Sequence, residues 1–187
     1  TANIAPATGW PQDAAPQAAA GLQVVAFARN LDHPRWLLVL PNGDVLVAET
    51  NAPARPEDGR GLKGAIMGLV MKRAGAAVPS ANRITLLRDT QGTGVADLRS
   101  VLLEGLNSPF GMALVDGQFY VGNTNGVVAF PYADGDTRIT APGRPLCKFR
   151  SNGHWTRSLL ASPDGRKLYA GVGSLSNIGD MGMELEQ

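Results

Sequence analysis

Cysteine is almost absent: the 187 residues contain one, Cys147, so no internal disulfide braces the fold and no cysteine framework for zinc exists. In the run Leu146-Cys147-Lys148-Phe149 it reads as a small core residue. Charge is sparse and balanced, with 17 Lys+Arg against 16 Asp+Glu for a net charge of +1. Without a dense basic run, nucleic acid and anionic membrane are excluded as principal partners. No apolar stretch approaches the roughly 20 residues of a spanning helix. No charged leader followed by an apolar core is visible. Hydrophobic residues make up 44% of the chain, enough for a core of ordinary size in one or two soluble domains.

Residues 1–20, rich in Ala, Pro and Gln, show neither helical nor strand periodicity and read as an extended arm. From residue 21 to 187 short apolar strands alternate with Gly, Pro, Asn and Asp turns, the pattern of an all-β domain. Three segments repeat one design: LDHPRWLLVLPNGDVLVAETN (31–51), LNSPFGMALVDGQFYVGNTNGVVAF (106–130) and NGHWTRSLLASPDGRKLYAGVGSLSN (152–177). Each has a polar or Pro-containing lead-in, an apolar strand, a Gly turn and a second strand rich in Val, Leu and Tyr. The repeated unit is a hairpin.

The turn glycines are Gly43, Gly117 and Gly165. The interval between the last two is close to the roughly 40–50 residues of a four-stranded propeller blade. The first interval is longer because an insertion lies inside it. Within the insertion, Leu62, Ala65, Ile66, Leu69 and Val70 follow the spacing of an amphipathic helix, which Lys72, Arg73 and Gly75 would end. At about 45 residues per blade the chain supplies about three to four blades, fewer than a closed ring commonly uses. It is expected to be the N-terminal part of a longer domain.

The strings GHWTRSLLASPDGRKLYAGVGSLSN, LDHPRWLLVLPNGDVLVAE, NRITLLRD and LNSPFGMAL resemble the sorbosone dehydrogenase family. That family is related to the soluble aldose (glucose) dehydrogenases, six-bladed β-propellers that use pyrroloquinoline quinone (PQQ). The likeness covers nearly all of residues 22–180. It implies a quinoprotein dehydrogenase acting on an aldose or a sugar-derived aldehyde such as sorbosone. It places His154 at the position of the general base, a role suited to imidazole, which titrates near neutral pH. Electrons would pass through PQQ to a quinone or cytochrome acceptor, and the implied location is periplasmic or secreted. The resemblance also implies an activating Ca²⁺, whose ligands, like the residues that polarise the quinone, would lie beyond residue 187.

Arg35, Asn123 and Arg157 stand at starts or ends of inferred inner strands and are candidate cofactor or substrate contacts; arginine suits the carboxylates of PQQ. No role is assigned to Ser108-Pro109-Phe110-Gly111, and His33 reads as structural. Gly59-Arg60-Gly61-Leu62-Lys63-Gly64 matches a dinucleotide-binding pattern but follows no strand. The loop 89–97 is a degenerate calcium loop in which Gln91 and Thr93 replace expected carboxylates, so no metal ligand is assigned within the chain. The alternative reading is a non-quinone propeller, either a Ca²⁺-dependent lactone or ester hydrolase or a ligand-binding module, with Glu49, Asn123 and Asn177 as candidate ligands.

Overall fold

The computed structural model describes residues 5–11, 14–53, 61–75, 78–151 and 153–174. Its first sheet joins β1 (Pro34–Val39), β2 (Val45–Glu49), β3 (Arg83–Arg88) and β4 (Leu98–Leu103) in sequential antiparallel order. A second sheet repeats that order with β5 (Met112–Val115), β6 (Gln118–Asn123), β7 (Gly126–Pro131) and β8 (Arg144–Lys148). Strands β9 (Arg157–Ala161) and β10 (Leu168–Val172) form a third hairpin. The three repeated segments therefore supply the leading hairpin of each sheet. The turn chemistry does its expected part: Asp116 and Gly117 both take positive φ, 47° and 71°, as a two-residue turn between twisted strands requires.

Side-chain alternation stacks the sheets. Met112, Phe119, Val121 and Phe130 of the second sheet turn to one side and join Leu46, Ala48, Ile84, Leu86 and Leu102 of the first in one core. Their neighbours Ala113 and Val127 turn to the other side and pack with Leu159, Tyr120, Leu168 and Ala170. A sheet that buries both faces against neighbouring sheets is the packing of a propeller blade, and β1, β5 and β9 lie side by side along its inner edge. The described residues thus form two four-stranded, blade-like sheets and one further hairpin. Residues 50–82 connect β2 to β3.

That connection carries the expected helix, α1 (Gly61–Arg73), with Lys72 and Arg73 in its last turn. Its apolar residues are not packed as an amphipathic helix would pack them: Ile66 is 57% and Leu69 76% exposed. The backbone N–H of Ala7, in the leading segment, donates to the Arg73 carbonyl at 3.0 Å. Cys147 departs from its expectation as well. It lies on β8, the outermost strand of the second sheet, and is exposed instead of buried, since β8 has a partner on one edge only and every residue on it is exposed.

Candidate active site

The starts of β1, β5 and β9 meet at one end of the stack, and each brings an aromatic ring. Trp36 packs on Phe110 with ring centroids 4.9 Å apart, and Phe110 meets Trp155 edge-on at 6.2 Å. The Arg35 guanidinium lies 5.4 Å over the Trp155 ring, within cation–π range. Two successive residues, Arg35 and Trp36, reach the same cluster because the β1–β2 register shifts between Pro34 and Trp36; such a bulge re-aims side chains that would otherwise alternate. Arg35 makes no hydrogen bond among the described residues, so its N–H groups are free for an anionic group.

Close approach of backbone makes this junction possible. The N–H of Gly111 donates to the Arg157 carbonyl at 2.9 Å, and a Cβ on Gly111 would stand 2.3 Å from the Leu159 nitrogen. At Gly122 a Cβ would come within 2.6 Å of the same carbonyl. Only glycine at both positions lets β9 close on the second blade.

His154 sits in the segment leading into β9 and is exposed. Its side chain rests on Gly173, where a Cβ would stand 2.6 Å from the His154 Cβ and 2.9 Å from Cδ2. Neither ring nitrogen has a hydrogen-bond partner among the described residues, so the imidazole is free to accept a proton.

Arg157 and Asn123 lie at this same end, both buried. The Arg157 guanidinium donates from Nη1 to the carbonyls of His154 (2.7 Å) and Thr156 (3.0 Å), and from Nη2 to that of Arg150 (2.8 Å). Its Nε has no partner among the described residues, and its guanidinium carbon lies 5.7 Å from the Phe149 ring centroid. Burial without a carboxylate partner lowers its pKa from the usual arginine value. The Asn123 Oδ1 accepts from the Asn107 N–H at 3.1 Å, bracing the segment ahead of β5. Among the sequence candidates, Arg35 and His154 thus present side chains to solvent, while Asn123 and Arg157 face inward onto backbone. The sequence reading assigns no role to the aromatic cluster, although an aromatic recurs at or just before the start of the inner strand in all three repeats: Trp36 within β1, Phe110 before β5 and Trp155 before β9.

The carboxylates considered as metal ligands are engaged elsewhere. Glu49 is fully buried and takes both Arg83 Nε (3.0 Å) and Nη2 (2.9 Å), the Thr85 hydroxyl and the Asp32 N–H. Burial pushes its pKa up, but the hydrogen bonds from Arg83, Thr85 and Asp32 outweigh this and hold it below the usual glutamate value. In the 89–97 loop, Asp89 accepts from the N–H groups of Gln91, Thr93 and Gly94, and Asp97 from Thr90 and Gln91. Among the described residues no three His, Cys, Asp or Glu side chains group as a metal site would need. Asn177 lies outside the described residues, as do Gly59 and Arg60 of the glycine-rich run. No described helix is long and apolar enough to cross a membrane.

No family model matches the chain, and no curated protein does. Solved structures do match. The holo form of the pyranose dehydrogenase PQQ domain from Coprinopsis cinerea aligns at a TM-score of 0.62 and 18% identity, over 88% of this chain and 34% of that one. An iodide structure of a Trichoderma reesei carbohydrate-active enzyme of family AA12 aligns at 0.59 and 22% identity, over 87% and 35%. A calcium structure from that family gives 0.59, 21%, 87% and 35%. The chain spans about a third of the length of these structures. At such identities the likeness is one of fold: these blades are built and stacked as in the PQQ domain of a sugar dehydrogenase.

Proposed function

We propose that the chain forms part of the site of a PQQ-dependent dehydrogenase that oxidises an aldose or a sugar-derived aldehyde of the sorbosone kind. The observation that carries the proposal is the exposed His154, with both ring nitrogens free among the described residues, next in the chain to Trp155 of the Arg35, Trp36, Phe110 and Trp155 cluster where the two sheets and the third hairpin meet. The donor set suits PQQ. Arg35 offers unpaired N–H groups to one of its carboxylates, and the aromatic faces suit a flat ring system. When bound, PQQ supplies the acceptor for the hydride, with its electron pair, that leaves the substrate carbon. His154 takes the hydroxyl proton from that carbon's oxygen onto a ring nitrogen, and Gly173 keeps the space behind the imidazole clear. The aromatic cluster would offer an apolar wall to the bound ring system. Asn123 supports the site through the backbone of Asn107. No step is assigned to Ca²⁺, because Glu49 is paired with Arg83 and the carboxylates of Asp89 and Asp97 are taken up by their own loop. Sugars, an external electron acceptor such as a quinone or cytochrome, and a periplasmic or secreted location complete the proposal.

The test is reconstitution with PQQ and Ca²⁺, following dye reduction with aldoses and sorbosone. His154→Ala is expected to lower turnover by about 100-fold or more while leaving quinone binding intact. Turnover retained in that variant, or no quinone-dependent reduction at all, would overturn the reading.

A further inference from the structure

The segment before β9 is held by its carbonyl groups. Three in succession, those of His154, Trp155 and Thr156, accept hydrogen bonds from side chains that are almost wholly enclosed. Arg157, 1% exposed, takes the first and third and also reaches back to the Arg150 carbonyl. Thr124, also 1% exposed, takes the middle one at 3.0 Å from the turn between β6 and β7. Loop carbonyls near a protein surface can be satisfied by water. Committing a buried guanidinium to three of them is costly unless the geometry it enforces is used.

We infer that Arg157 and Thr124 are positioning residues, a two-point clamp that sets the direction of the His154 imidazole and the Trp155 ring; the inference rests on the proposed role of His154. Arg157 anchors the segment to its own strand, and Thr124 anchors it to the neighbouring blade. The clamp therefore couples the position of His154 to the joint between the second blade and the third hairpin. It assigns Arg157 a different task from holding a cofactor carboxylate, since three of its N–H groups are already committed.

The chain contains two histidines, His33 and His154, which makes the test direct. In a carbon–proton NMR spectrum of the intact chain, the His154 ring signal is expected to be single and sharp. Arg157→Lys and Thr124→Val should each split or broaden it while leaving the His33 signal unchanged. With PQQ bound, both variants should lower kcat about tenfold with quinone affinity unchanged. An unchanged His154 signal in both folded variants overturns the clamp. So does an Arg157→Lys variant that loses quinone affinity but keeps the His154 signal. Should Arg157→Lys fail to fold, Thr124→Val decides alone, since it removes one hydroxyl bond and keeps the shape. The NMR result does not depend on turnover, so a failure of the His154 base assignment is read separately, from His154→Ala.

Discussion

Replacing Glu49 with glutamine changes one oxygen to an amide nitrogen, and the surroundings of that carboxylate make the change severe. All four groups that hydrogen-bond to it are donors, Arg83 Nε and Nη2, the Thr85 hydroxyl and the Asp32 N–H, and the Arg99 guanidinium stands 3.6 Å from Oε1 as a further cation. An amide has one oxygen, so in either orientation its own N–H₂ confronts donors that lose their acceptor. Each buried donor left unpaired costs about 1–3 kcal/mol. The Arg83 side chain is 25% exposed and can recover part of this from water, which places the loss near 3 kcal/mol. At a urea m-value of roughly 2 kcal/mol/M, the unfolding midpoint of Glu49→Gln should fall by about 1.5 M. The pH dependence has a definite sign. The folded pKa of Glu49 is depressed, so its stabilisation is complete above the ordinary value near 4.5 and fades as pH falls through the lower folded value. The gap between wild type and variant should therefore narrow on acidification. A loss below about 1 kcal/mol at neutral pH would refute the reasoning, because it would mean the four donors find other acceptors.

Three further outcomes are expected. Gly111→Ala should destabilise the chain by about 1–3 kcal/mol and selectively remove hydrogen-exchange protection from β9 and β10, since its Cβ would collide with the Leu159 backbone; uniform protection loss would contradict this. Asp44, buried and held below its usual pKa chiefly by hydrogen bonds from Arg88, should lend stability that is present above about pH 4 and lost as acid protonates it. Melting curves of Asp44→Asn should converge with wild type at low pH, and a constant offset would rule the pair out as the source. Cys147 should react with a thiol reagent in the native chain at the rate of an open thiol, whereas reaction only after unfolding would place β8 elsewhere.

The hairpins were readable because each carries its own turn chemistry, and alternation along strands such as Phe119-Tyr120-Val121 is local information. The insertion was readable from the turn spacing. Partner choice was not. Glu49 at a strand end looks like a metal ligand until Arg83, far along the chain, pairs with β2 and fills its carboxylate. Arg157 likewise looks like an outward cation, and only the fold turns it inward onto the preceding loop. The exposure of Cys147 is hidden in the sequence because an apolar neighbourhood does not reveal which strand lies outermost. The bulge that brings Arg35 to Trp155 leaves no mark in composition, though an aromatic at or just before the start of each inner strand is a repeat-level cue.

The two blades close the same connection in opposite ways. Between β6 and β7 the chain turns in Thr124 and Asn125, whereas between β2 and β3 it wanders through residues 50–82 before returning. The long excursion is tied at its base, where Asn51 donates to the Val78 carbonyl at 2.7 Å and to the Ser80 hydroxyl oxygen from its backbone at 3.0 Å. With the base tied, loop-closure entropy changes by only about 0.6 kcal/mol for each doubling of length. The excursion leaves the sheet at the end where Arg35 and His154 sit. Its size and sequence can therefore drift widely without disturbing strand pairing, and the rim beside the site can diversify while the blades beneath it stay the same.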